Sequence, residues 1–264
     1  MELSLVDTHA HLDMRHFNKD RNEVIARALN AGVTKIVTVG ADLESSQQAI
    51  KLAENSAQIY ATIGFHPHEA NRVKETDITR LTELARHDKV VAIGEIGLDF
   101  YRNLSPREIQ FQALRWQLEL AVTVDLPVII HSRQAEKEML AVLGDWSSHK
   151  GQKRNPIGVI HCFNGNRDTA RKYLDMGFYI SLGAYISYPS STYMLDAIRS
   201  IPQDRLVVET DCPFLPPQSL RGKRNEPAYV RFTVDKLAEI RGASVEAIAR
   251  QTTENAHRLF HIGD

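Results

Sequence analysis

The sequence is poor in cysteine, has no long apolar run and carries almost no net charge. Its two cysteines among 264 residues exclude a disulfide-rich secreted scaffold. No apolar run approaches the roughly 18 residues of a membrane-spanning helix, and Asp7 interrupts the N-terminus before a secretion signal could form. The net charge of −1 excludes a protein that holds nucleic acid through a global basic field. We therefore expect a cytoplasmic protein with no membrane partner.

The chain also lacks a Pro/Gly-rich linker, which predicts that residues 1–264 form a single domain. Short apolar runs rich in Val and Ile alternate with longer amphipathic stretches. Such runs, without polar alternation, are typical of strands buried on both faces of a parallel sheet. The predicted strands are 3–6, 36–39, 59–63, 90–93, 128–130, 157–160, 178–182 and 206–208.

The amphipathic stretches predict helices over 20–31, 43–54, 78–87, 134–143, 167–176, 191–200 and 227–241, with further turns to the C-terminus. One more helix is predicted after Ser105, because Ser105 can cap it, Pro106 suits its first position and Glu108 follows three residues after the cap. Strands alternating with helices in this way favour an α/β fold, a (β/α)8 TIM-type barrel. An open doubly wound sheet is the alternative, but its usual Gly-x-Gly-x-x-Gly turn is absent.

Metal-binding and acid/base side chains follow six of the predicted strands. They are His9 and His11, His66, Glu95, His131, His161, and Glu209 with Asp211. In a barrel the carboxyl ends of all strands meet at one face, where active sites lie. Taken alone, each residue has an ordinary explanation, such as a hydrogen-bonded core histidine or a turn aspartate. Their joint placement at strand ends predicts one site.

Six nitrogen and oxygen ligands are more than one tetrahedral zinc ion needs. They suit two divalent metals that share a bridging carboxylate, for which Glu95 is the candidate, and a bridging hydroxide. The histidine-rich set favours Zn²⁺ or Mn²⁺, and Mg²⁺ remains possible. Two such cations outweigh the charges of Glu95, Asp211 and one hydroxide, so the site would attract a phosphodiester despite the negative chain.

The motifs at these strand ends resemble the TatD family of metal-dependent deoxyribonucleases, which are amidohydrolase-like barrels. The resemblance lies in residues 7–11 (DTHAH), 64–67 (GFHP), 94–100 (GEIGLDF), 131–133 (HSR), 161–163 (HCF), 209–213 (ETDCP) and 221–227 (RGKRNEP). It runs in order along essentially the whole chain. It implies a hydrolase that cleaves DNA, with end-directed 3′–5′ cleavage of single strands.

The resemblance also assigns roles to single residues. It implies metal ligation by His9, His11, Glu95, His131, His161 and Asp211, the same set that the strand ends predict. His66 becomes a substrate or acid/base contact without a metal of its own, and Asp211 orients the hydroxide or accepts its proton. Asp99 and Glu209 become carboxylates that orient ligating histidines. The alternatives are a hydrogen-bonded core histidine for His66 and a turn residue for Asp99.

Basic and aromatic residues beside the motifs are the candidates for substrate contact. Arg133 follows His131 and can hold a phosphate, as can Arg221, Lys223 and Arg224 of the densest basic run. Tyr101 and Phe163 can stack on splayed bases, although core packing is an alternative for each. A hydrolase for esters, lactones, amides or aminoacyl-tRNA is the second hypothesis, and a non-catalytic metal-binding scaffold is the third. The basic run favours phosphate, and the sequence points to no protein partner.

Each cysteine directly follows a proposed ligand. Neighbouring residues on a strand point to opposite faces, so the side chains of Cys162 and Cys212 should face away from the metals. We expect two unlinked thiols that pack as small core residues.

Overall fold

The computed structural model describes residues 3–148 and 156–263. Its strands form one parallel eight-stranded sheet in chain order. They are β1 (Leu5–Ala10), β2 (Val33–Val39), β3 (Ile59–Ile63), β4 (Val90–Asp99), β5 (Val128–Arg133), β6 (Gly158–Ile160), β7 (Phe178–Leu182) and β8 (Leu206–Val208). The last strand returns to the first, because Ala10 bridges Cys212 and the Thr8 hydroxyl donates to the Val208 carbonyl at 2.9 Å. The TIM-type barrel prediction is confirmed.

The helices follow the strands around the barrel. They are α1 (Arg21–Asn30), α2 (Leu43–Glu54), α3 (Glu75–Leu84), α4 (Arg107–Val124), α5 (Glu136–Ser148), α6 (Arg167–Asp175), α7 (Leu195–Ser200), α8 (Val230–Arg241) and α9 (Val245–Phe260). The predicted bounds hold for α2 and shift by a few residues for most others. In α7 the first part of the prediction is a separate 3-10 helix, Pro189–Met194. No helix within the described ranges combines the length and apolarity that crossing a bilayer requires.

Two apolar clusters form the core of the protein. The smaller one fills the barrel interior, where Val6, Val37, Val159 and Val207 from four different strands pack with Phe260 of α9. The larger cluster lies between the strands and the surrounding helices. Strands covered on both sides cannot alternate polar and apolar residues, which explains the continuous apolar runs of the sequence.

Three strands extend beyond their apolar runs. β1 continues to Ala10 and β4 to Asp99, and every residue of both is buried. β5 continues to Arg133. Sequence patterning missed these extensions because polar residues interrupt the apolar runs. In β4 the glycines permit close contact with β5, since a Cβ on Gly97 would lie 1.9 Å from the carbonyl oxygen of His131. His9, Glu95 and Asp99 therefore lie within strands, where their backbones are held by sheet hydrogen bonds.

The predicted cap of α4 is wrong. Pro106 occupies the N-cap position, and the helix begins at Arg107. The Ser105 hydroxyl instead donates to the His68 carbonyl at 3.0 Å and accepts the amide of Asn71 at 3.1 Å. Ser105 thus joins the start of α4 to the loop after β3, a tertiary contact that a local capping pattern cannot reveal.

Substitution of Gly97 by Ala should destabilise the barrel. Its Cβ would overlap the β5 backbone, which cannot move without breaking ladder hydrogen bonds. We expect a loss of about 1–3 kcal/mol or more in urea unfolding, the range for overpacking. Gly144→Ala in α5 is the matched control, because its Cβ meets Met176 at 3.4 Å and should add about 0.5–1 kcal/mol of helix stability. Equal midpoints for the two variants would contradict this account of β4.

Candidate metal centre

The Glu95 carboxylate lies at the centre of the cluster of strand-end residues. It is 3% exposed, and each of its oxygens faces different imidazoles. Oε2 lies 3.3 Å from His9 Nε2 and 3.8 Å from His11 Nε2. Oε1 lies 2.7 Å from His131 Nδ1, 3.6 Å from His161 Nε2 and, on the same side, within 3.7 Å of His66 Nε2. One carboxylate therefore connects two groups of nitrogen donors.

Two of these imidazoles are oriented by hydrogen bonds on the ring side that faces away from Glu95. His11 Nδ1 donates to the Val39 carbonyl at 3.2 Å, and His161 Nδ1 donates to Glu209 at 3.0 Å. A carbonyl or carboxylate accepts only, so a hydrogen sits on Nδ1, and Nε2 is the nitrogen that faces the cluster and could bind a metal. This arrangement is typical of metal-ligating histidines.

His9 of β1 and His11, which directly follows β1, form one compact donor group with Asp211 of the loop after β8. The Nε2 atoms of His9 and His11 are 3.3 Å apart, and Asp211 Oδ1 lies 3.4 Å from His11 Nε2. Ligand atoms of these three residues all lie within 4.8 Å of one another, as do those of His66, Glu95 and His131. Lone pairs that converge at such distances repel each other unless a cation or a proton lies between them. The donor set therefore fits divalent metal ions.

The electrostatics of the cluster show an excess of buried carboxylate. Burial alone would raise the pKa of Glu95, but the imidazoles of His161, His66 and His9 hold it well below its ordinary value. Burial would lower the pKa of His161, yet Glu209 and Glu95 raise it to about 10. Protons on the imidazoles thus offset negative charge that bound cations would otherwise neutralise.

His66 differs from the other histidines of the cluster. Its Nδ1 accepts the amide hydrogen of His68 at 3.1 Å, and burial holds its pKa well below the ordinary value. The neutral ring therefore carries its hydrogen on Nε2, which faces Glu95. That His66 holds no metal of its own stays a prediction, because one of its ring nitrogens lies within 4.8 Å of ligand atoms of Glu95 and His131. Its role in contacting substrate stays a prediction.

Two carboxylates lie just behind the donor groups. Glu209 accepts hydrogen bonds from His161, from the Cys162 amide at 2.7 Å and from the Ser181 hydroxyl at 2.5 Å. Asp99 lies 3.4 Å from His131 Nε2 and accepts the Arg102 amide at 2.7 Å. Glu209 thus makes the contact to His161 that an orienting role requires. Asp99 lies near His131 without a hydrogen bond to it, so its orienting role stays a prediction. A simple turn does not describe buried Asp99.

Sequence reasoning gave no role to two residues of this region. His68 Nε2 donates to Asp99 at 2.8 Å, so it extends the cluster outward. Asp7 is fully buried and accepts both the amide and the hydroxyl of Thr210, at 2.9 and 2.6 Å. Burial raises the pKa of Asp7 to about 8. Asp7 begins the DTHAH segment and His68 directly follows the GFHP segment, and these positions were the signal that could have found them.

The expectation for Cys162 is wrong. Its sulfur lies within 4.8 Å of ligand atoms of His161 and Asp211, because β6 ends at Ile160 and Cys162 adopts a φ of 46°, where strand alternation no longer applies. Burial raises the pKa of its thiol well above the ordinary value. Both Cys162 and Cys212 are free, and Cys212 is buried as expected.

The predicted substrate contacts divide into exposed and structural residues. Arg133 is exposed and its guanidinium lies 4.1 Å from the ring centroid of Tyr101, which is 56% exposed. Arg221 and Lys223 are also exposed. Phe163 is only 3% exposed, so stacking on a base is wrong for it and core packing is correct.

Arg224 differs from the two exposed cations of its loop because it is paired with carboxylates. Its guanidinium donates to Asp20 at 2.6 Å and to Glu226 at 2.9 Å, and Arg27 contacts the same Glu226. This network ties the loop after β8 to α1. The sequence showed the basic run but could not show which cation already has carboxylate partners.

Barrel and cluster together define a metal-dependent hydrolase. The family described as "TatD related DNase" matches residues 6–261, and the chain belongs to it. The chain is 42% identical to the uncharacterized metal-dependent hydrolase YabD of Bacillus subtilis, over 98% of this chain and 99% of that protein. It is 38% identical to the 3′-5′ ssDNA/RNA exonuclease TatD of Pantoea ananatis, over 98% and 100%. The crystal structure of YJJV, a TatD homologue of Escherichia coli, superimposes with a TM-score of 0.92 at 32% identity, covering 99% of both chains.

Glu209→Gln should weaken metal binding without removing a ligand. The amide keeps the shape but loses the charge that orients His161, and loss of such outer partners costs about 10–100-fold in metal affinity. Competition with a chromophoric chelator measures the change. Glu119→Gln on the exposed face of α4 is the control and should bind metal normally. Unchanged affinity in Glu209→Gln would show that Glu209 only supports the fold.

Proposed function

We propose that this chain is a 3′–5′ exonuclease that hydrolyses single-stranded DNA ends with two divalent metal ions, Zn²⁺ or Mn²⁺ in preference to Mg²⁺. The observation that carries the proposal is the carboxylate of Glu95, whose two oxygens face two separate groups of nitrogen donors. His9, His11 and Asp211 would hold one ion, and His131 and His161 the other, with Glu95 shared.

The residues of the chain divide the chemistry between them. Bound divalent ions would supply a nucleophilic water at neutral pH and neutralise charge on the phosphate. Asp211 stands at the mouth, with 15% of its side chain exposed and its Oδ1 toward the donor group, so it can accept a proton from water. The Nε2–H of His66 can donate to an oxygen of the substrate.

Exposed side chains at the mouth of the barrel support nucleic acid as the substrate. Arg133 is exposed and stacks on exposed Tyr101 at the end of β4 and β5. A cation beside an aromatic ring suits a phosphate followed by an unpaired base. Relatives named as ssDNA/RNA exonucleases support the same class, and RNA belongs in the substrate panel with esters and aminoacyl-tRNA. The free thiols fit the expected cytoplasmic location.

Metal content tests the two-ion site directly. We expect two ions per chain from elemental analysis and anomalous scattering of metal-replete protein, with Glu95 between them. The physical reason is that both carboxylate oxygens of Glu95 already face donor nitrogens. A single ion with His9 and His11 unliganded would overturn the arrangement.

Asp211→Asn should lower kcat and kcat/KM together. The substitution removes a charged donor and the proton acceptor, which act mainly in the transition state. We expect a loss of about two to three orders of magnitude on single-stranded DNA at saturating metal. Asp204→Asn is the matched control. Asp204 is an exposed carboxylate that lies just before the first residue of β8, whereas Asp211 lies after the last, so this variant should retain full activity. Near-normal turnover by Asp211→Asn would exclude Asp211 as the proton acceptor.

Replacement of Arg221 and Lys223 together by Ala should raise KM more than it lowers kcat. Both side chains are exposed in the loop after β8, so they would contact phosphates away from the reacting one. The effect should fade on a dinucleotide, and the salt dependence of binding should fall by about 0.7 log unit per lost phosphate contact. Kinetics on long and short substrates at two salt concentrations measure both.

Arg224→Ala separates phosphate contact from loop anchoring. Because Arg224 pairs with Asp20 and Glu226, its loss should lower the unfolding midpoint, a change that the double variant should not show. If the double variant keeps its KM and salt slope on long DNA, the loop is only a solvated surface.

A further inference from the structure

The exposed apolar side chains are concentrated at the mouth of the barrel. Six large ones are exposed in the described ranges, and four of them lie on loops that follow strand carboxyl ends. These four are Tyr101 and Leu104 after β4, Tyr193 after β7 and Phe214 after β8. Exposing such surface to water is unfavourable, and a concentration around a cleft is typical of a binding site.

Phe214 is the one of these four that contacts the donor residues. Its ring centroid lies 6.1 Å from the imidazole of His11 and 6.2 Å from that of exposed His16, edge-on to both. Its side chain remains 45% exposed. A nucleotide whose phosphate lies at Glu95 and Asp211 would have its base within reach of this ring.

The backbone holds the Phe214 ring in place. Buried Asn225 donates to the carbonyls of Phe214 at 2.7 Å and of Thr210 at 2.8 Å. Asp211 and Leu215, before and after Phe214, have φ values of 56° and 49°. Aspartate adopts this left-handed region more readily than most residues, whereas for leucine it costs about 1–2 kcal/mol. Strain that surrounding hydrogen bonds maintain is characteristic of functional segments.

We propose that Phe214 is the stacking platform for the base of a nucleotide adjacent to the scissile phosphate. This inference rests on the proposed nuclease function and adds the residue that detects an unpaired base. Phe214 lies across the barrel from Tyr101 and Arg133, since β8 and β4 are opposite in an eight-stranded barrel closed in chain order. A single strand that crosses the mouth would meet one ring on each side of the metal centre, whereas a paired base could not stack.

Substrates that lack a base give the sharpest test. Three oligonucleotides are compared. One lacks the base of the 3′-terminal nucleotide, one lacks the base of the penultimate nucleotide, and the third carries every base. The wild-type protein should cleave at least one abasic substrate about ten- to hundred-fold less efficiently, the range for one base stacked on an aromatic side chain. Phe214→Ala should lose that discrimination by slowing on the based substrate alone, and Phe214→Tyr should restore it.

Phe232→Ala is the matched control. Phe232 is similarly exposed, at 39%, but lies on α8 and packs against Tyr229. The variant should keep the wild-type ratio between based and abasic substrates. A merely structural role of Phe214 would instead lower activity on all substrates equally, together with the unfolding midpoint.

A binding measurement gives a readout independent of turnover. In Phe214→Trp the new indole should lose fluorescence when oligothymidine binds, and an abasic oligomer of equal length should leave it unchanged. Cleavage with equal based-to-abasic ratios in wild type and Phe214→Ala would overturn the stacking role alone. If neither oligomer is bound or cleaved, the nuclease proposal and the stacking role both fail.

Discussion

Glu95 is a carboxylate almost completely removed from water, and the polar architecture of the barrel mouth keeps it charged. Burial of an isolated ion costs several kcal/mol, which only close partners can offset. Here five imidazoles place a nitrogen within 4.0 Å of it. Those imidazoles lie in β1, β3, β5 and β6 or within three residues after them, so the charge depends on the relative positions of strands that are distant in sequence.

The seam between β1 and β8 shows how closure of the barrel also assembles the cluster. The amide of Asp211 donates to the His9 carbonyl at 2.9 Å, and the amide of His11 donates to the Cys212 carbonyl at 2.8 Å. Asp7 adds its bonds to Thr210 beneath them. The same hydrogen bonds therefore join the first and last strands and bring His9, His11 and Asp211 together. A chain that failed to close would lose this donor group.

The loops after the strands show how rigid support and exposed surface are combined. Buried Asn225 and the ion pairs of Arg224 anchor the segment after β8 to the barrel and to α1. The same segment presents Phe214 and the exposed cations Arg221 and Lys223 outward. Residues that look equivalent along the sequence thus have opposite roles, one set holding the backbone and the other facing a ligand.

The sequence by itself determined the barrel, the order of its strands and the residues at their carboxyl ends, because buried parallel strands are continuous apolar runs and their ends must meet at one face. It located Glu95 and the histidines for the same reason. It could not determine that Cys162 turns toward the cluster, that Ser105 bonds to the loop after β3, or that Phe163 is buried while Phe214 is exposed. Those outcomes depend on backbone dihedrals beyond strand ends and on partners far away in sequence, such as Asp20 for Arg224. Only the tertiary structure sets them, because local periodicity ends where the strands end.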